Sequence, residues 1–167
     1  MGAIAERRVD RLLDVTRSRD LPPFLSPDAG VNSGLMIAQY TAAGIVADNR
    51  RLAAPASVDS LPTSGMQEDH VSMGWAATKK LRTVLDNLTS LLAVELLAAV
   101  RGLQLRAPLI PSPAGRTAVE LVARFAGPPG PDIFLAPVIE GARAVVATRA
   151  LRTAIESALP DPTIPLR

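Results

Sequence analysis

The sequence predicts an all-α protein, an elongated helical bundle that is built around one long central helix and that tends to oligomerise. Hydrophobic residues make up 48% of the 167 residues but aromatic residues only 3%, so the core must consist of Leu, Val, Ile and Ala. Such aliphatic, alanine-rich sequences favour packed helices. Apolar residues also recur every three or four positions between residues 68 and 104. No stretch shows the alternation that is typical of strands.

Two shorter helices are predicted before this long one. Residues 3–15 place Ile4, Val9 and Leu12 among charged residues, which indicates an amphipathic helix. Residues 34–49 are rich in Ala and Ile and carry few charges, so this second helix should be buried on most sides. We expect Asn32 and Ser33 to cap it and its larger side chains to pack in the core: Met36, Gln39 and Tyr40.

The long helix is predicted over residues 68–104, on the order of 50 Å. Ser64 stands three residues before Gln67, which is the spacing of a capping box. The middle of the helix is apolar on nearly all faces, so it needs several partner helices. Glu95 lies within that apolar stretch and requires a partner, for which Arg82 or Arg101 of a neighbouring subunit's copy is the candidate.

The remaining segment, residues 107–167, is predicted to be helical and to belong to the same domain as residues 1–106. Ser112 is a plausible cap, with Pro113 at the first helical position of a helix that runs to residue 126. Residues 127–131, Gly-Pro-Pro-Gly-Pro, interrupt the helical pattern. A final helix is expected over residues 137–159, followed by a frayed tail over residues 161–167.

Composition argues against several classes of function. The net charge of +2 comes from 18 basic and 16 acidic residues, and with so few aromatic residues this gives no sign of a nucleic-acid partner. There is no cysteine and a single histidine, so a zinc site is not expected. The N-terminus lacks a signal pattern, and the longest apolar run, residues 88–100, is too short to span a bilayer. We therefore expect a cytoplasmic protein with no membrane partner.

Side chains that can take part in catalysis or binding are concentrated in residues 57–73, directly ahead of the long helix. The sequence there is S-V-D-S-L-P-T-S-G-M-Q-E-D-H-V-S-M. This stretch holds several acids and hydroxyls, an amide and the only histidine, a density that suggests a site rather than a plain linker. The loop hydroxyls and Asp59 are expected mainly to satisfy backbone groups. The candidate site residues are Ser64, Gln67, Glu68, Asp69 and His70.

Several runs of sequence resemble the aromatic amino-acid ammonia-lyases, and above all histidine ammonia-lyase. They are E-R-R-V-D-R-L-L-D (6–14), L-P-P-F-L (21–25), V-N-S-G-L-M-I-A-Q-Y-T-A-A (31–43), P-A-S-V-D-S-L-P-T-S (55–64) and Q-E-D-H-V-S-M-G (67–74). They occur in the order expected for the C-terminal portion of such an enzyme. The resemblance covers residues 2–106 and is weak beyond Pro108.

The resemblance implies elimination of ammonia from an amino acid, giving urocanate when histidine is the substrate. The family's electrophile is a methylidene-imidazolone formed from Ala-Ser-Gly, and this sequence contains no Ala-Ser-Gly. The resemblance also implies that the tyrosine and arginine of the family's site lie in a preceding segment. A partner segment carrying Ala-Ser-Gly is therefore expected, in a tetramer-like assembly, and this chain alone is expected to be inactive.

The family's functional acid falls on Glu68, which is expected to face the substrate and to interact with its imidazole. Phenylalanine and tyrosine lyases tend to carry an amide there, so Glu68 favours histidine. The usual Ala-Asn before Q-E-D-H is replaced by Gly65-Met66. The plainer interpretation of Glu68 and Asp69 is two acids in a helix first turn, where the helix dipole favours them. With the resemblance, we assign Glu68 a catalytic and substrate-binding role.

The other candidates have supporting or undecided roles. Gln67 is equally compatible with a cap and with a substrate-binding amide, while Asp69, His70 and Ser64 are expected to support the site. Three functions stay open at this point: a portion or split subunit of histidine ammonia-lyase, a non-catalytic assembly or regulatory module that keeps the lyase fold, and a lyase or aminomutase for tyrosine or another amino acid.

Overall fold

The computed structural model describes residues 1–159, and the predicted tail at residues 161–167 lies outside them. The described part of the chain contains six α-helices. They are α1 (Gly2–Leu13), α2 (Met36–Leu52), α3 (Gly74–Leu105), α4 (Pro113–Ala126), α5 (Leu135–Ala147) and α6 (Ala150–Ala158). Short 3-10 turns occur at Pro23–Leu25 and Ala56–Val58. The prediction of an all-α fold around one long helix is confirmed.

Helix α3 organises the fold because its C-terminal half packs against α1, α2, α4 and α5. Leu91, Val94 and Ala98 lie in one core cluster with residues of α1 and α2. Ala93, Leu97 and Val100 lie in a second cluster with residues of α4 and α5. Neighbouring residues of a helix are separated by about 100° around its axis, so the two clusters occupy adjacent faces of α3.

The first half of α3 has little packing within this chain. Trp75 is 71% exposed, and Leu81 and Leu85 are 57% and 52% exposed. By length and composition α3 could cross a membrane, with a mean hydropathy of 1.6 over its most apolar 18 residues. The core helix of a soluble protein passes the same test, and 33% of this apolar window is buried in the described part of the chain.

Helix α3 begins at Gly74, six residues later than predicted. The capping box between Ser64 and Gln67 is wrong, because the backbone is left-handed at Ser64, Gly65 and Met66, with φ of 56°, 61° and 72°. A capping box needs helical backbone from the residue after the cap onward, and three consecutive left-handed residues exclude that here. The residues before α3 instead turn back on the preceding segment.

Two predicted polar partners are also corrected. Glu95 pairs with Arg8 of the same chain, with 2.5 Å between Oε1 and Nε, so its carboxylate has a partner without Arg82 or Arg101 of another subunit. Asn32 and Ser33 do not cap α2 with their side chains, because α2 has no side-chain cap. The Ser33 and Gly34 amides instead donate to the Asp132 carboxylate at 2.7 and 2.8 Å, while Asn32 Oδ1 accepts from the Asp132 amide at 2.9 Å. We call this reciprocal set of bonds the Asp132 clamp.

Other predictions have mixed outcomes. Ser112 caps α4 by accepting from the Gly115 amide at 3.2 Å, as predicted. The predicted final helix is two helices, since the backbone is left-handed at Arg149, with φ of 58°. Tyr40 does not pack in the core of this chain but is 70% exposed. Gln39 donates to Asp10 at 2.8 Å, which joins α2 to α1.

Candidate functional site

The candidate site is an antiparallel hairpin that connects α2 to α3. The amide of Thr63 donates to the carbonyl of Glu68 at 2.9 Å, and the amide of Glu68 donates back at 3.3 Å. Three residues further from the tip on each arm, Ser60 Oγ accepts from the Val71 amide at 3.0 Å and donates to its carbonyl at 3.1 Å. Both pairs fit one register. The segment over residues 60–71, which we call the site hairpin, therefore has a definite shape.

The tip of the site hairpin is conformationally strained. Ser64, Gly65 and Met66 follow one another with positive φ, which glycine tolerates but Ser and Met rarely adopt. Met66 is also 70% exposed, so its apolar side chain gains little from packing in this chain. The pairing of Thr63 with Glu68 closes the turn and holds these angles. Strain of this kind persists only where the surrounding structure fixes it, and it is often found near functional sites.

The base of the hairpin is fastened to the helices. Lys80 of α3 donates from Nζ to the carbonyl of Ala54 at 2.8 Å, and Asn87 donates to Asn49 Oδ1 at 2.8 Å. The turn at Ala56–Val58 also packs on α3. Ser72 Oγ accepts from the Gly74 amide at 3.3 Å, which directs the chain into α3. The exposed hairpin is therefore attached to a rigid support on both sides.

All five candidate residues lie in the site hairpin, within seven consecutive positions, and all five are exposed in this chain: Ser64, Gln67, Glu68, Asp69 and His70. Glu68 lies in the paired arm and not in a helix first turn, so the macrodipole explanation for this acid is wrong. A carboxylate held on a paired backbone but open to solvent can accept hydrogen bonds from a ligand or from another polypeptide.

The described residues form a well-defined cleft elsewhere. About 520 Å³ lies between α2 and the start of α5, lined largely by apolar side chains that include Ile37, Phe134 and Ile139. The five candidate residues are not among those that line it. The cleft and the hairpin are therefore separate features, and the chemistry-bearing side chains belong to the hairpin.

Sequence reasoning anticipated one contact of the site hairpin and missed the Asp132 clamp, which lies elsewhere in the fold. Ser60 was expected to satisfy backbone groups, and it does so twice at Val71. The Asp132 clamp was missed, because its partners lie 98 to 100 residues apart. The local signal was present in Asp132 itself, an acid directly after the break at residues 127–131. Nothing in the sequence identified the amides that it would accept from.

The model of the aromatic amino acid lyase family matches residues 1–124 of this chain. The chain belongs to the aromatic amino acid lyase family. The matched range crosses Pro108 and includes most of α4, so the resemblance extends further along the chain than expected.

The most similar relatives include histidine ammonia-lyases from Streptomyces. The chain is 60% identical to the Streptomyces coelicolor enzyme and 58% identical to that of Streptomyces avermitilis, over 159 residues and 94% of this chain in each case. It is 49% identical to the Burkholderia mallei enzyme over 160 residues. The chain spans only about 31% of the length of these relatives.

Solved structures show the same fold. Histidine ammonia-lyase from Trypanosoma cruzi superposes with a TM-score of 0.88 at 37% identity, covering 96% of this chain and 32% of that one. Tyrosine aminomutase from Streptomyces globisporus superposes with a TM-score of 0.90 at 36% identity, covering 99% and 31%. A histidine ammonia-lyase and a tyrosine aminomutase therefore fit the backbone equally well, and the fold does not distinguish between them.

Proposed function

We propose that this chain forms the C-terminal portion of a histidine ammonia-lyase, which eliminates ammonia from L-histidine to give urocanate. The proposal that histidine is the substrate rests on the sequence identity of 58–60% to two histidine ammonia-lyases. The fold supports the family but not the substrate, because the aminomutase superposes as well as the Trypanosoma cruzi lyase. We expect the complete enzyme to be cytoplasmic.

Within this enzyme Glu68 is proposed to contact the imidazole of the substrate. A carboxylate can pair with an imidazolium or accept a hydrogen bond from a neutral imidazole N–H. Its position on the paired arm of the site hairpin supports this role, because the Thr63–Glu68 bonds restrict the backbone from which the carboxylate extends. Gln67, adjacent in the chain, is a second candidate for contact with the substrate. His70, Asp69 and Ser64 are proposed to support this arrangement.

The prosthetic group must come from another segment. The methylidene-imidazolone supplies the electrophile in this family and is formed from Ala-Ser-Gly, which this sequence lacks. The residues of this chain therefore do not form the group, although the exposed hairpin leaves Glu68 free to meet a site carried by a partner segment. We propose that the rest of the lyase provides that segment within an oligomer.

The exposed apolar half of α3 supports the need for a partner. Trp75, Leu81 and Leu85 directly follow the site hairpin and are each more than half exposed. Leu81 and Leu85 are four residues apart and share one face of the helix, and a contiguous exposed apolar face is a feature of interaction sites. Association through this face would bring a second polypeptide next to Glu68.

Complementation tests the proposal. A Streptomyces coelicolor histidine ammonia-lyase lacking the segment matched by this chain would be co-expressed with this chain, and urocanate formation followed by absorbance. We expect activity only when both polypeptides are present. Absence of urocanate from a complex that assembles and contains the prosthetic group would reject the proposal.

Glu68→Gln tests the role of the carboxylate in the same complex. Losing a hydrogen bond to a charged group costs about 1.5–3 kcal/mol, so kcat/KM should fall roughly 10- to 100-fold. Asp59→Asn is the control, an exposed acid outside the site hairpin, and should leave kcat/KM within about twofold, since exposed acids outside a site contribute little. Equal effects of both variants would contradict the assignment.

Two alternative functions predict different results in these assays. A non-catalytic assembly module that keeps the lyase fold predicts that Glu68→Gln leaves the activity of its partner unchanged. A tyrosine lyase or aminomutase is favoured by the superposition on the Streptomyces globisporus enzyme. Assays with histidine and tyrosine side by side would separate it, because only an ammonia-lyase for histidine produces urocanate.

A further inference from the structure

A groove between α1, α3 and the turn after α1 lies apart from the site hairpin. It encloses about 360 Å³, and Leu12 and Ala99 contribute apolar surface to it. Its arginines are Arg8, Arg11, Arg17 and Arg19, and its acid is Glu95. We call it the arginine groove. Its volume lies at the lower end of the range that small-molecule pockets occupy.

Two of its four arginines are already neutralised. Arg8 pairs with Glu95 at 2.5 Å. Arg17 pairs with Asp10 at 2.7 Å and with Asp14 at 2.5 Å, and these acids raise the pKa of the Arg17 guanidinium. These pairs fix the two arginines as walls of the groove. The charges of Arg8 and Arg17 are largely neutralised by the protein's own carboxylates.

The other two arginines keep their charge available. Among residues 1–159, the guanidinium groups of Arg11 and Arg19 have neither an ion pair nor a hydrogen bond. Both line the same groove. Guanidinium groups present several N–H donors in a planar fork that matches a carboxylate. The groove therefore offers two uncompensated cations beside an apolar surface.

The backbone that carries Arg19 is held in place. Arg106, at the end of α3, donates from one nitrogen to the carbonyls of Ser18 and Arg19 at 3.1 and 2.8 Å. The buried Ser18 hydroxyl donates to the carbonyl of Leu21 at 3.2 Å. Arg19 and Asp20 are both left-handed, with φ of 53° and 69°. A strained turn maintained by contacts from a distant helix indicates a fixed geometry and not a loose loop.

From this geometry we infer that the arginine groove is a binding site for a small organic dicarboxylate. One carboxylate pairs with Arg11 and the other with Arg19, while the carbon chain between them lies against Leu12 and Ala99. The apolar surface is what separates this ligand from an inorganic anion, which would gain from the charges alone. None of the residues involved belongs to the site hairpin, so the inference is independent of the proposed lyase reaction.

Titration calorimetry on the full chain with glutarate tests the inference, with inorganic phosphate and neutral glutaramide as comparison probes. We expect saturable binding of one glutarate per chain, weaker binding of phosphate and none of glutaramide. Raising the salt from about 0.1 M to about 1 M shortens the Debye length from about 10 Å to about 3 Å and should weaken binding. Phosphate binding as tightly as glutarate would overturn the inference, as would the absence of saturation.

Variants locate the binding in the groove. Arg11→Gln and Arg19→Gln should each weaken glutarate binding roughly two- to fivefold, as expected for one exposed charge pair. Arg11→Lys keeps the charge but loses the fork, so its affinity should lie between those of the wild type and Arg11→Gln. Arg116→Gln, an exposed arginine of α4, is the control and should bind like the wild type. A loss at Arg116 equal to that at Arg11 would show nonspecific attraction and overturn the inference, and circular dichroism establishes that each variant is folded.

Discussion

Replacing Ser60 by Ala should loosen the site hairpin without unfolding the protein. Ser60 Oγ makes two hydrogen bonds to the backbone of Val71, at 3.0 and 3.1 Å, and they form one of the two cross-links between the arms. A typical hydrogen bond contributes a net of about 0.5–1.5 kcal/mol. Both groups are near solvent, which can replace part of the loss, so the opening free energy of the hairpin should fall by about 1–2 kcal/mol.

Amide hydrogen exchange measures this change at the residue concerned. A fall of about 1–2 kcal/mol speeds exchange roughly 5- to 30-fold where exchange follows local opening. We expect the Val71 amide to accelerate by that factor and the Thr63 and Glu68 amides to accelerate with it, because one register joins both pairs. Amides of α3 beyond Leu91 should not change.

Ser57→Ala is the matched control. Ser57 is an exposed serine outside the site hairpin, and its side chain makes no hydrogen bond to residues 1–159. It should leave exchange at Val71 as in the wild type. The reasoning would be refuted if Val71 exchanged equally fast in both variants. Acceleration of Val71 alone, with Thr63 and Glu68 unaffected, would show that the two arms open separately and that Ser60 does not support the backbone of Glu68.

Four further substitutions test the support of the fold. Gly34→Ala should lower the free energy of unfolding by roughly 2–5 kcal/mol, because φ is 57° and a Cβ would lie 2.5 Å from the Phe24 carbonyl oxygen. Gly44 lies in the interior of α2, and no atom lies within 4 Å of a Cβ added there. Gly44→Ala should therefore raise the free energy of unfolding by about 0.5–1 kcal/mol, and urea titration would distinguish this gain from the loss expected for Gly34→Ala. Amides of Ser33 and Gly34 hold the pKa of Asp132 below its usual range, so the clamp stabilises the protein above about pH 4 and is lost as the pH falls through the lowered pKa. Asp132→Asn should therefore lower the urea midpoint at pH 7 and differ less from the wild type at pH 3; an equal difference at both would contradict this. Met66→Asn should stabilise by up to about 1 kcal/mol, since φ is 72° and Asn tolerates the left-handed region better, and no gain in thermal midpoint would argue against strain at this position.

The periodicity of apolar residues predicted the positions of the first two helices well. The apolar spacing located α1 and α2 to within three residues, and the Ser112–Pro113 pair located the start of α4. It failed at the start of α3, because an S-x-x-Q spacing describes a helix cap only if the intervening backbone is helical. The Thr63–Glu68 pairing and the Ser60 contacts at Val71 decide that question, and neither follows from local spacing.

Long-range polar contacts were the other feature that the sequence could not supply. Glu95 was recognised as needing a cation, but Arg8 lies 87 positions away and the choice between it and nearer arginines depends on how α1 packs on α3. The break at Arg149 also lacks a glycine or proline to signal it. Thr148 Oγ1 donates to the carbonyl of Ala144 at 2.7 Å, but Thr83 and Thr89 make the same kind of bond inside α3, so this contact does not explain the break.

The candidate site was predicted through resemblance, and the structure changes the backbone conformation expected around Glu68. A helix first turn would fix Glu68 by the helix itself, whereas a hairpin with two cross-links is only marginally stable in water. The carboxylate therefore depends on the anchors at Ser60, Lys80 and Asn87, and on whatever covers the exposed tip. The exposed apolar residues of α3 begin at Trp75, a few residues beyond the hairpin. One neighbouring polypeptide could thus bury that apolar surface and immobilise Glu68 together, which makes assembly and completion of the site a single event in the proposed enzyme.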